Sequence, residues 1–147
     1  MIKQILVNVL IALGIGYLCQ ILQSICQSQF LLTFLKGNLI TLLIALLAIN
    51  SATMGIVLTK IRELIDKAGT GSEVFQSTKD EMLLSIKEQI ALVVVSVILL
   101  TVLDSELAKK ASELQEIYPV LLFSIFAYSI INLYDTAKSV LIIIDYD

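Results

Sequence analysis

A short polar stretch interrupts one of the long apolar segments of the chain and is the first candidate for chemistry. It reads Asn50-Ser51-Ala52-Thr53-Met54-Gly55 and contains no charged residue. Amide and hydroxyl oxygens can replace part of the hydration shell of an ion, and small residues one helical turn apart let another helix approach closely. The stretch therefore predicts a pore lining or an oligomer axis, with ordinary packing between helices as the alternative. The candidate residues are Asn50, Ser51, Thr53 and Gly55.

Bulky apolar residues flank this polar stretch on both sides. Leu46 and Leu47 precede it, and Val57 follows it. A narrow apolar constriction in a pore excludes water and so stops the passage of ions. We predict that these three residues form a gate.

Basic residues follow directly after the same segment. Lys60, Arg62 and Lys67 lie among acidic residues, and apolar residues continue between them at helical spacing. One interpretation is a solvated, salt-bridged surface that anchors to anionic lipid headgroups. The sharper hypothesis is a ring of cations, repeated around an oligomer axis, that receives an anionic ligand or an acidic partner protein.

Several classes of site are excluded by composition. The chain has no histidine and two cysteines, so it lacks the residues for a Ser-His-Asp triad, a His-liganded zinc or a thiolate metal cluster within one chain. The net charge of −3 argues against a dedicated nucleic-acid-binding domain. We therefore expect no catalytic site, no metal and no cofactor, and we predict that the protein is not an enzyme.

The elements that must position these residues are membrane-spanning helices. Of the 147 residues, 58% are hydrophobic, which is more than a soluble domain of ordinary composition contains. Four apolar segments are long enough to cross a bilayer. We predict one domain over residues 1–147, an all-α integral membrane protein with spans at about 5–26, 39–58, 86–103 and 119–134.

The predicted spans carry no Asp, Glu, Lys or Arg at their middle, with Glu88 only at the entrance of the third. Ion-coupled carriers normally bury a titratable group where the substrate is exchanged. The pattern therefore disfavours a coupled transporter.

Local signals place the ends of the helices. Pro119 suits the first turn of the fourth span, because proline needs no hydrogen-bond acceptor there. Thr78 and Glu81 form a capping-box pattern that predicts the start of a helix, and the glycines of residues 68–72 predict a turn before it. Residues 59–87 thus form a hairpin in which the second and third helices extend beyond the bilayer.

The basic residues predict the orientation. With four spans, the termini and the middle loop lie on one side, which carries seven lysines and arginines against three on the other. Basic residues favour the cytoplasmic side. We predict a multi-pass protein of the bacterial inner membrane with both termini and the hairpin in the cytoplasm. A signal peptide is the alternative for the first span, but the segment lacks a small-x-small cleavage site.

The layout of the chain resembles that of small four-span membrane proteins of bacterial anti-phage systems, the HalA-like (Hailong), KwaA-like (Kiwa) and RexB-like (lambda exclusion) proteins. The resemblance is carried by the Asn50 to Gly55 stretch, the charged continuation Lys60-Ile61-Arg62-Glu63-Leu64, a second long helix, and a last span that ends Asn132-Leu133-Tyr134. It implies a homo-oligomeric membrane effector that permeabilises or depolarises the inner membrane on infection.

The same resemblance implies a trigger on the cytoplasmic side, either a soluble partner protein or a nucleotide-derived signal. In a Hailong-like protein the signal would be an oligonucleotide, for which the natural contacts are Lys60, Arg62, Lys67 and Lys79.

We therefore expect a homo-oligomer, such as a tetramer, that forms a gated ion-conducting assembly opened by the hairpin. The main alternative is a non-conducting scaffold or sensor that docks a soluble partner through the hairpin. A phage holin, which would cause timed lysis, is a third possibility.

Overall fold

The computed structural model describes residues 2–68, 76–105 and 112–144, together with their side chains apart from those of 2, 64, 67, 68, 77, 112–116, 139 and 142–144. The described residues form four helices: α1 (Ile2–Ile25), α2 (Phe30–Ala68), α3 (Gln76–Leu103) and α4 (Ser112–Ile144). Each contains a segment long and apolar enough to cross a membrane, namely Lys3–Ile25, Phe30–Glu63, Thr78–Leu103 and Ile117–Lys138. The chain is thus an all-helical, multi-pass membrane protein.

A tight turn joins α1 to α2. Gln27 adopts a positive φ of 51°, which reverses the chain after α1. The Ser28 hydroxyl oxygen accepts a hydrogen bond from the Phe30 N–H, and the Gln23 side-chain oxygen accepts one from the Leu32 N–H, both at 3.3 Å. These side chains satisfy backbone donors that the first turn of a helix leaves without intrahelical partners.

Two of the predicted helix starts are wrong. α4 begins at Ser112, so Pro119 lies inside the helix and not in its first turn. A proline costs a helix a single backbone hydrogen bond and a local clash, which the surrounding packing of Pro119, a buried residue, can offset. α3 begins at Gln76, so Thr78 lies within its first turn and does not precede the helix. The predicted turn falls mainly on residues 69–75, which lie outside the described residues.

α4 is the central helix of the bundle and packs against the other three. It runs antiparallel to α1, since Asn8 contacts Asp135 while Gly16 lies beside Ser124. Side chains of α2 and α4 form one apolar cluster: Leu35, Leu39, Leu43, Leu122, Phe123 and Ile125. Side chains of α2 and α3 form a second, with Val140 of α4 packed against it: Met54, Val57, Ile61 and Met82.

Gly16 allows the closest approach between α1 and α4. A Cβ atom at this position would lie 2.1 Å from Ser124 Oγ and 2.7 Å from the Val120 carbonyl oxygen. The Ser124 hydroxyl already donates to that carbonyl at 2.7 Å, so it lies close to the backbone of α4. A glycine is therefore required where the two helices cross, as is common between membrane helices.

Candidate functional site

A cavity of about 110 Å³ opens where the start of α1, the second half of α2, the start of α3 and the end of α4 meet. All four helices contribute to its wall, and most of the side chains that line it are polar. The lining residues are Gln4, Ile5, Asn8, Met54, Thr78, Glu81, Met82, Leu84, Ser85, Glu88, Asn132, Asp135 and Thr136. We call it the carboxylate cavity.

Glu88 of α3 is held by two donors from α4. The Tyr128 hydroxyl and the Asn132 side-chain amide each donate a hydrogen bond to Glu88 Oε2, and both distances are 3.0 Å. Tyr128 and Asn132 are four residues apart and therefore lie on the same face of α4. The carboxylate is thus oriented by helix geometry and does not depend on a flexible loop.

Asn132 is itself fixed from its other end. Its side-chain oxygen accepts a hydrogen bond from the Ser85 hydroxyl, and its backbone carbonyl accepts one from the Thr136 hydroxyl at 3.0 Å. The hydroxyl oxygens of Ser85 and Thr136 are 3.2 Å apart. Because both ends of the Asn132 amide are engaged, this residue connects the serine and the carboxylate of α3 through α4.

A second carboxylate faces the same cavity from α4. The side-chain amide of Asn8 in α1 donates to Asp135 Oδ2 at 2.9 Å. Asn8 is the polar residue that interrupts the apolar run of the first span. Helix α1 is thereby attached to the end of α4 that borders the cavity. With Glu81, which also lines it, three carboxylates border this cavity.

Chemically, the carboxylate cavity offers oxygen ligands and negative charge. Oxygen atoms suit protons and hard cations, and two carboxylates together lower the electrostatic energy of a cation near them. The described residues contain no group of three or more His, Cys, Asp or Glu placed to hold a metal ion.

The sequence predicts a third span that begins at residue 86, with Glu88 at its entrance. Helix α3 begins at Gln76, ten residues earlier, and its apolar candidate segment Thr78–Leu103 contains Glu88. The signal that could have revealed the site is the spacing of Tyr128, Asn132 and Thr136, three polar residues one turn apart in an apolar helix.

The residues predicted to line a pore lie on different faces of α2. Asn50 is fully buried inside the protomer, whereas Ser51 and Gly55 are exposed on its outer surface. Thr53 is half-buried, and its hydroxyl donates to the Ile49 carbonyl at 2.9 Å. Ser51 and Gly55 therefore share an exposed face of α2, and Asn50 lies on its buried face.

The predicted gate residues are also placed differently from one another. Val57 is buried in the apolar cluster of α2 and α3, while Leu46 and Leu47 are half-buried. Of the basic residues, Arg62 is exposed, and Lys60 and Lys79 are half-buried. The side chain of Lys67 lies outside the described residues.

No protein-family model, curated protein or solved structure matches the chain.

Proposed function

We propose that the chain is a membrane effector that conducts small cations and so depolarises the membrane, and that cations enter it through the carboxylate cavity. The observation that carries the proposal is that Glu88 and Asp135, from two different helices, line one cavity inside the bundle. Ionisable residues within membrane spans are costly and usually belong to ion or proton pathways.

The hydrogen-bond network supports this role over a purely structural one. Tyr128 and Asn132 both donate to the same oxygen of Glu88, and among the described residues no further hydrogen bond to this carboxylate is found. An oriented carboxylate at a cavity wall is placed to attract a cation.

The setting we propose is the bacterial inner membrane, with both termini in the cytoplasm, as the distribution of basic residues predicts. The first residues of α1 and the last turns of α4 border the carboxylate cavity, so it opens toward the cytoplasm in this orientation. In line with the resemblance in layout, we assign the protein to anti-phage defence, where depolarisation would halt the infected cell.

We further propose that the protein works as a homo-oligomer, with a tetramer as the simplest form. The exposed small residues Ser51 and Gly55 are available to a second copy, since a Cβ atom at Gly55 would meet nothing within 4 Å. The hairpin of residues 59–87, with Arg62 exposed, receives an acidic partner protein or an anionic oligonucleotide as the trigger. The protein has no enzymatic role in this scheme.

The proposal is tested by following membrane potential in cells that express the protein. The matched variants are Glu88→Gln and Asp135→Asn in the cavity, with Asp104→Asn, an exposed residue just after α3, as control. We expect the wild type and Asp104→Asn to depolarise the cells. Each cavity variant should do so roughly tenfold more slowly, which corresponds to a barrier higher by about 1.4 kcal/mol. An unchanged membrane potential in cells that express the wild-type protein contradicts the proposal.

A second candidate function is a non-conducting scaffold or sensor. It is favoured by the apolar cluster of Met54, Val57, Ile61 and Met82. This cluster packs the end of α2 against the start of α3 and so stabilises the two helical arms of the hairpin. A stoichiometric soluble protein that co-purifies with the chain, without conductance in reconstituted bilayers, would select this function.

A further inference from the structure

Two buried amides in the middle of the bundle have no hydrogen-bond partner. Asn50 of α2 is 0% exposed and Gln89 of α3 is 3% exposed. Neither the amide nitrogen nor the oxygen of either side chain bonds to any described residue. Buried polar groups are nearly always paired in folded proteins, and an unpaired pair of amides inside a membrane bundle calls for a functional explanation.

Both amides lie one helical turn beyond a residue that lines the carboxylate cavity. Asn50 precedes the lining residue Met54 by four positions, and Gln89 follows the lining residue Ser85 by four positions. Residues four apart share a face of a helix and are separated by about 6 Å along its axis. Each amide therefore continues the face of its helix that borders the cavity.

The step from Met54 to Asn50 and the step from Ser85 to Gln89 point in the same direction through the bundle. α2 and α3 are antiparallel, because Val57 and Ile61 near the end of α2 pack with Met82 near the start of α3. Moving backward along α2 from Met54 and forward along α3 from Ser85 thus leads in the same direction, away from the end of the bundle that holds both termini. Asn50 and Gln89 each lie one helical turn further in this direction than a residue that lines the cavity.

We infer that Asn50 and Gln89 form the inner end of a polar passage that begins at the carboxylate cavity and runs inside each protomer, between α2 and α3. The passage admits water and small monovalent cations, hydronium included. Its transport role rests on the proposed function, whereas its access to water does not.

Met54 lines the cavity and lies one helical turn from Asn50. Its side chain is also buried in the apolar cluster. Methionine has three rotatable bonds and tolerates irregular surroundings, so a change of rotamer can open the way to Asn50 without moving a helix. In this scheme the Met54 side chain closes the passage within the protomer. It is distinct from the pore gate that the sequence predicts at Leu46, Leu47 and Val57.

The test measures access to water with single cysteines. The native thiols, Cys19 and Cys26, are free and are first replaced by serine. Asn50→Cys and Gln89→Cys are then exposed, in inverted membrane vesicles, to a small cationic methanethiosulfonate that cannot cross the bilayer. The matched controls are Ser51→Cys next to the first position and Val94→Cys on the outer face of α3, both at exposed positions of the protomer.

We expect both passage thiols to react roughly tenfold or more faster than the controls, because a thiol must ionise in contact with water before it reacts. Unreactive thiols at 50 and 89 overturn the inference, since the amides would then be dry and pair only with protein. Reaction at Ser51→Cys alone also overturns it and places the route at an axis between subunits, which leaves the proposed function standing.

Reaction at both passage positions in a protein that never depolarises cells supports the passage and contradicts the proposed function. Gel filtration confirms that each variant keeps the wild-type assembly. Should one variant lose it, the other alone decides the test by the same criterion. Loss of assembly in both variants contradicts the inference, since the two amides would then be needed for packing.

Discussion

The Tyr128 hydroxyl of α4 donates a hydrogen bond to Glu88 Oε2 of α3 at 3.0 Å, across 40 residues of sequence. The bond joins two membrane helices and also fixes the direction of a carboxylate at a cavity wall. The contact that ties the two helices together is therefore also the contact that orients the carboxylate.

Tyr128→Phe removes the hydroxyl and retains the ring. We expect the free energy of unfolding to fall by about 0.5 to 2 kcal/mol, the usual range for hydrogen bonds between membrane helices. Unfolding in mixed micelles with increasing denaturing detergent measures the change. Tyr134→Phe is the control, because Tyr134 is exposed, and an equal loss in both variants would show that the bond to Glu88 contributes nothing specific.

Asn8 and Asp135 tie α1 to α4 at 2.9 Å, and their contribution can be isolated with a double-mutant cycle. We expect the effects of Asn8→Ala and Asp135→Ala on the free energy of unfolding to be coupled by about 0.5 to 2 kcal/mol, because each substitution removes the same hydrogen bond. The same unfolding assay supplies the four free energies. Additive effects would mean that the two side chains do not interact in the membrane.

Gly16→Ala should weaken the crossing of α1 and α4. The added methyl group would overlap Ser124 Oγ and the Val120 carbonyl oxygen, so the helices must move apart at a cost of about 1 to 3 kcal/mol. Gly14→Ala is a matched control in the same helix, since a Cβ atom there meets nothing within 4 Å. Equal stability of the two variants, measured by the same unfolding assay, would contradict the close approach.

Gly55→Leu tests assembly without disturbing the protomer. Because a Cβ atom at Gly55 has open space, the monomer should keep its stability, whereas a leucine would push a second copy away from the small-residue face of α2. We expect a smaller particle by light scattering in detergent. Gly14→Leu serves as control, and an unchanged mass in the Gly55 variant would remove this face from the oligomer interface.

Arg62→Gln tests the exposed hairpin as the place where an anionic trigger binds. An exposed charge contact is worth up to about 1 kcal/mol, so we expect roughly fivefold weaker binding of a short oligonucleotide, with less dependence on salt. Fluorescence anisotropy of a labelled oligonucleotide measures it. Lys3→Gln, on the exposed start of α1, should bind as the wild type does. Equal affinity in both variants would assign the trigger to another surface.

The sequence reveals the helices more readily than their partners. The predicted span at about 39–58 lies within α2, which begins nine residues earlier, at Phe30, whereas Pro119 and Thr78 mislead at the starts of α4 and α3. A proline or a capping pattern reports local preference only, and the packing of a long apolar helix is strong enough to continue through either one.

The number, type and approximate position of the four helices follow from the sequence alone, because the fit of an apolar segment to a bilayer depends only on the length and hydropathy of that segment. The carboxylate cavity is decided by the tertiary structure. Asn8 and Asp135 are 127 residues apart, and nothing in either helix specifies which face of the other it will meet. Only the register of four packed helices, set by contacts such as that of Gly16 with Ser124, brings these polar groups and Glu88 to one place.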